Sequence, residues 1–286
     1  MLPKLNLRDI RILAGNEFVH LLRSGPGILA LSILGLYAGW VLSKLVEHAD
    51  FINSLAAGGM SQESTVVLAI VKWLADVEDE VLRNLLENHS PFITLLFVMV
   101  AGIAPWVSMM AGLDQNAGDI GSKGIRFMLP RTSRANLMMG RFVGTAVFWT
   151  TVQVLLGLTA IIVALAMDEH NGMASIVMDG IWLILALSLI GLPFIAFMAI
   201  CSVTTGNPLL SVTMGIGCYF AIALIGGLGG WLNENLGVIR FAFPSPLRID
   251  LMLGSFPEII VAAVAMIVYA FIYLVSAGAI LRKRDL

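Results

Sequence analysis

Charge is what this sequence has least of. Only 13% of its 286 residues are Asp, Glu, Lys or Arg, against 58% apolar, and the mean hydropathy is +0.91. An ordinary soluble domain, with about a quarter of its residues charged, is excluded by that balance. Cysteine is nearly absent as well. Cys201 and Cys218, the two present, fall in or beside apolar runs, so they read as small buried side chains and not as a disulfide framework. The four histidines, His20, His48, His89 and His170, lie outside the apolar runs. No H-E-x-x-H spacing or nucleophile with a base occurs at membrane depth, which excludes the usual intramembrane hydrolases. The acidic run from Asp76 to Glu80 lacks the glycine and loop geometry of a calcium site, and the 15 methionines are too dispersed for copper. No metal, directly bound cofactor or catalytic motif is read. A phosphate loop is missing too, since Gly121-Ser122-Lys123 only echoes the end of one.

What the chain has in abundance is long apolar runs. A bilayer crossing needs about 20 mostly apolar residues, so that every backbone N–H and C=O is satisfied within one helix. Six runs qualify: 27–46, 92–113, 142–166, 180–202, 209–231 and 258–281. The first follows 26 residues and is followed by no small-residue cleavage site, so it reads as a span and not as a secretory signal. The expected fold is all-α, a polytopic integral membrane protein of six transmembrane helices forming one domain over 1–286. None of the runs has an ionisable side chain near its middle, which argues against an ion-coupled carrier. Broken helices binding sodium through backbone carbonyls stay open. The polar residues of the spans are few: Thr150, Thr151, Gln153, Thr159, Ser188, Ser211 and Thr213. A pathway lined by these favours an apolar or amphipathic cargo.

Charge also sets the expected orientation. With both termini in the cytoplasm, the inner segments hold 12 of the 17 basic residues and five of the 19 acidic ones. The net charge is then +7 inside and −9 outside, the bias expected of cytoplasmic loops. Because the basic residues are spread over several segments beside apolar spans, they read as a topology signal and not as a nucleic-acid surface.

Three segments outside the spans have periodicity of their own. Within 1–26, Leu7, Ile10, Ala14, Phe18 and Leu21 share one helical face, and Arg8, Asp9, Asn16, His20 and Arg23 the other. Such a helix is expected to lie in the interface plane, until Ser24-Gly25-Pro26-Gly27 turns the chain into the first span. The outer segment 47–91 reads as an amphipathic extracytoplasmic helix over 62–88, resting on the bilayer or docking an accessory protein. The outer segment 232–257 carries Phe243-Pro244-Ser245-Pro246, a rigid break expected to make a re-entrant or interfacial element. Gly140 with Gly144, and Gly226 with Gly230, form two GxxxG pairs for close helix packing within a subunit or across a dimer.

The inner loop 114–141 says most about function. It sets apolar Ile125, Phe127, Met128 and Leu129 among charges ahead of Pro130 and a basic stretch. It is too short for a domain, and it suits a short helix that enters a groove on a cytoplasmic partner. The order of residues here, Asp119, Gly124, Phe127 to Leu129, Pro130, Ser133-Arg134 and Gly140-Arg141, resembles the same loop in bacterial ATP-binding cassette permeases of the type-2 exporter class. The likeness extends to the N-terminal helix, the six spans, the Pro-bearing outer element and the basic tail. It departs in a Pro-to-Arg spacing one residue longer and in Lys123 where an acidic residue often precedes the glycine.

The resemblance implies two permease subunits, identical or related, on two ATPase subunits that carry the ATP and magnesium. It places the chain in a bacterial inner membrane. It also implies that Asp119, Gly124, Phe127, Leu129, Pro130, Arg131 and Arg134 form the ATPase contact. The alternative from another class is a non-transporting scaffold or force-transmitting subunit that recruits an outer partner through 62–88.

Overall fold

The structure, a computed structural model, describes residues 6–56, 89–128, 130, 132–232 and 237–284. The helix expected over 62–88, together with Leu129 and Arg131, lies outside the described residues. The described elements are all helical: α1 (Leu7–Arg23), α2 (Gly25–Glu47), α3 (Ala49–Ala56), α4 (Pro91–Ala111), α5 (Ala117–Gly121), α6 (Ile125–Met128), α7 (Arg134–Met167), α8 (Met173–Thr205), α9 (Pro208–Leu232), two short 3-10 turns (Val238–Ala242 and Ser245–Leu247), α10 (Asp250–Leu253) and α11 (Phe256–Lys283). Six of them, α2, α4, α7, α8, α9 and α11, are long and apolar enough to cross a membrane, one for each run in the sequence. This is a multi-pass membrane protein.

Local chemistry sets where these helices start and stop. The Ser24 side chain accepts from Gly27 N at the head of α2, and Pro26 sits in the first turn, where its missing N–H costs nothing. The α11 start is a capping box, with Glu258 Oε2 accepting from Ser255 N at 2.6 Å. α8 stops at Gly206, whose φ of 63° is the left-handed conformation glycine adopts without strain. The Asn207 side chain then caps the head of α9, accepting from Leu209 N at 2.9 Å.

α4 and α8 form the centre of the bundle. In their most apolar stretches 78% and 61% of residues are buried, against 22–28% in the other four spans. The outer helices turn Leu, Ile, Val and Phe side chains outward, the surface a bilayer requires of its solute. Pro105 and Pro193 lie inside α4 and α8, a place where neighbouring helices make the freed backbone groups tolerable. Gly157 and Gly180 let α7 and α8 approach: a Cβ on either would lie 2.1–2.2 Å from an isoleucine Cγ1.

Two ends of the bundle are distinct. At one, Asn6 N donates to Asn136 Oδ1 (3.1 Å), Arg134 reaches the tail of α11 and Arg284 reaches the tail of α8. At the other, Asn53 donates to Met167 O (2.9 Å) and Trp182 donates to Leu251 O (3.0 Å). There too His89 Nδ1 lies 2.8 Å from Asp179, which also accepts from Ser90 N and so caps α4 from across the bundle. That carboxylate holds the His89 imidazole above its usual range.

The element after α9 enters the bundle from this second end. Phe243, 2% exposed, packs against Phe194 and Phe197 of α8, Tyr219 of α9 and Tyr273 of α11, with ring centroids 4.8–6.2 Å away. Tyr219 is eleven residues along α9 from Pro208, so the wedge reaches well inside the bundle. Tyr273 holds it by donating to Ala242 O at 2.6 Å. Gly226 admits the same element, since a Cβ there would lie 2.9 Å from Arg240 N.

α1 packs along the start of α7. Asn6 pairs with Asn136, Leu13 with Gly140, Ala14 with Gly144 and Phe18 with Phe148, so the two helices run in the same direction over the first four turns of α7. Ile10, Ala14, Phe18 and Leu21 do turn inward. Leu7 is 80% exposed: Asn6 already meets the first turn of α7, and no described residue covers the side chain.

Candidate functional site

Of the inner-loop candidates, Asp119 and Gly124 lie where α1, the loop after α4 and the first turns of α7 meet. Packing dictates this junction. Gly140 and Gly144 face α1, where a Cβ would lie 2.5 Å from Leu13 Cβ and 2.6 Å from both Ala14 O and Glu17 Cβ. Asp9 then joins two elements, accepting from Thr132 Oγ1 at 3.2 Å and Asn136 Nδ2 at 3.3 Å. Ser133 caps α7 by accepting from Asn136 N at 3.1 Å. The close approach leaves a cleft of about 270 Å³ lined by Glu17 and His20 of α1, Asp114, Asp119 of α5, and Arg141 of α7.

Arg141 is the centre of that cleft. It is 7% exposed, forms an ion pair with Asp119 and donates to the Gln115 carbonyl. One guanidinium therefore ties the inner loop to α7 at two points, the geometry for which arginine is suited. Glu17 and Asp114 share its field. Burial pushes the Glu17 carboxyl up to about 7, Arg141 opposes the rise, and Asp114 adds to it.

Beyond α5 the chain turns at Lys123, whose φ of 60° is left-handed. A Cβ on Gly124 would come within 3.3 Å of Asp119 Oδ1, so the turn folds tightly back over the ion pair. In α6, Ile125 is buried at 1% while Phe127 is 81% exposed, and Lys123, Arg126 and Pro130 are exposed around it. The structure thus fixes one end of this short helix inside and presents one aromatic side chain outside.

Arg134 is placed differently from the other sequence candidates. Its guanidinium donates to the carbonyls of Leu281 (2.7 Å), Arg282 (3.1 Å) and Arg284 (3.2 Å), capping the C-terminus of α11 with the positive charge that a helix end favours. Arg284 repeats the device on α8, donating to Thr204 O at 3.2 Å and to Val203 O. The two caps tie three helices together beneath the loop. Gly121 completes the contact, since a Cβ on it would lie 2.7 Å from Gly206 O.

Glu17 and Asp114 escaped the sequence reading, although Glu17 left a signal. On a helical wheel it falls between Ile10, Leu13 and Leu21, a lone carboxylate on the apolar face, and such a residue needs a partner. In the spans, Thr151, Thr159 and Thr213 only bond carbonyls of their own helices at 2.8–2.9 Å. Gln153 is buried, with 0% exposure. Among the described residues no three His, Cys, Asp or Glu side chains are arranged to hold a metal. Comparison with protein-family models and with curated proteins finds no match to this chain.

Proposed function

We propose that this chain is the membrane subunit of an ATP-driven exporter of the ATP-binding cassette type-2 class, with ATP and magnesium held by a separate cytoplasmic ATPase. The observation that carries the reading is Phe127, 81% exposed on a helix braced from behind by the Asp119–Arg141 pair. An exposed aromatic ringed by cations on a rigid base is the form of a hot-spot anchor. Energy delivered to α6 passes through α5 and Arg141 to α7, and through Asp9 and Glu17 to α1, so that one push moves two helices. The re-entrant Phe243 wedge and the absence of charge from the middle of the spans support the same reading. Two such subunits, identical or related, on two ATPases, in a bacterial inner membrane with both termini in the cytoplasm, complete the proposed assembly. Its cargo is apolar or amphipathic. An accessory protein on the outer side is its remaining proposed partner.

The test is co-purification from native membranes. The wild-type chain retains a nucleotide-binding subunit, and Phe127→Asp loses it by about 30-fold or more, the effect of removing an anchor worth about 2 kcal/mol. A native complex without any ATPase would favour the scaffold reading. Retention unchanged by Phe127→Asp would remove α6 from the contact.

A further inference from the structure

Among the described residues the charges in the cleft do not balance. Three carboxylates, Glu17, Asp114 and Asp119, line it with one guanidinium and the His20 imidazole, and that guanidinium bonds Asp119 and the Gln115 carbonyl. Glu17 is anchored at the cleft wall, because its Cβ stands 2.6 Å from where a Cβ on Gly144 would lie and α1 is held to α7 at Asn136 on one side and Phe148 on the other. Ionised, it would add a negative charge to the cleft that already holds Asp114 and Asp119 and compete for the same arginine. Protonated, it leaves Arg141 to the inner loop.

We infer that Glu17 is a proton switch at the junction: protonated, it lets Arg141 hold the inner loop against α7, and ionised, it draws Arg141 toward α1 and loosens the loop. Among the described residues, the groups facing it are His20 on its own helix, Asp114 in the loop, Asp119 on α5 and Arg141 on α7. Asp114 works for the protonated form and Arg141 against it. The shift to about 7 from an ordinary 4.5 puts the transition within the range of cytoplasmic pH. The sign follows from linkage. A carboxyl raised in the folded state gives its full stabilisation below about 4.5, and that stabilisation is lost as pH rises to about 7. The junction therefore tightens in acid and loosens in mild alkali. The switch belongs to this chain alone and does not rest on the presence of an ATPase.

The test uses the full chain in lipid nanodiscs, titrated from about pH 5 to about pH 9. Infrared difference spectra should show a protonated-carboxyl band that disappears with a midpoint near 7 and that Glu17→Gln removes. Asp114→Asn should lower the midpoint by about one unit, a tenfold weaker hold on the proton. Spin labels replacing the exposed Arg11 and Ser122 should report a narrow distance distribution at low pH that shifts above the midpoint, and that stays narrow at every pH in Glu17→Gln. Should Glu17→Gln fail to fold, the Asp114→Asn shift decides alone. The inference is overturned by a band that survives Glu17→Gln, a midpoint unmoved by Asp114→Asn, or a label distance that does not respond to pH in the wild type.

Discussion

Replacing Arg141 with Ala should be among the most damaging single changes in the chain, costing about 2 kcal/mol, because it removes a buried cation from carboxylates that are themselves only partly exposed. The magnitude rests on burial. Arg141 is 7% exposed and bonds both a carboxylate and a carbonyl of the inner loop, so its removal takes a donor from each. The Lys44–Glu47 pair is the control: it is closed to 2.5 Å, but both side chains are about half exposed, and breaking it should leave the unfolding midpoint unchanged. Arg141→Lys should fall between, since an ammonium cannot reach two acceptors in a fork. Adding Glu17→Gln and Asp119→Asn to Arg141→Ala should recover part of the loss by removing the stranded charge. Thermal unfolding of the purified protein measures each. A midpoint for Arg141→Ala equal to that of the Lys44 variant would mean that the cleft is open to water and the ion pair is incidental.

Gly144→Val is expected to separate α1 from α7, at about 2 kcal/mol or more. The first atoms its Cβ would meet are Ala14 O at 2.6 Å and Glu17 Cβ at 2.6 Å, with Ala14 Cα at 3.1 Å. Two of these are backbone, so no rotamer change relieves the clash and the whole helix must shift. Gly144→Ala should show the same defect in weaker form. The same valine at Gly39, where a Cβ meets nothing within 4 Å, should be tolerated. Protection of α1 amides from hydrogen exchange reads the effect directly: Gly144→Val should lose protection over Leu7–Arg23, while α8 keeps its own. Equal protection in both variants would show that the close approach is not what holds α1.

The spans were legible because a bilayer imposes one simple demand, about 20 apolar residues that satisfy their own backbone, and each of the six runs meets it. The true length of α7 was not. Its first eight residues, Arg134 to Arg141, include two arginines and an asparagine, and the hydropathy pattern does not carry a span through them. They are helical because Ser133 caps them and because Gly140 and Gly144 let α1 dock there. Pro244 and Pro246 announced a break in the outer element, but not that Phe243 would be driven among Phe194, Phe197 and Tyr219; nothing local encodes an aromatic contact across four elements.

The inner loop shows both sides of the same limit. Its composition, one apolar stretch among charges before a proline, suggests a docking element; Phe127 is turned outward and Ile125 inward. The pairing of Asp119 with Arg141 and the use of Arg134 to cap α11 depend on residues far apart in the chain. An alternation of charge and apolar side chains tells which residues are at an edge. It does not tell which of them face the neighbour and which face a partner.

Entry of energy at α6 is what we propose for this protein, and site-specific photocrosslinking in native membranes tests it. A photoreactive side chain in place of Phe127 is expected to capture a nucleotide-binding subunit. The same group in place of Trp40, 58% exposed on α2, is expected to capture none. No such adduct at 127, or equal adducts at both positions, would contradict the account.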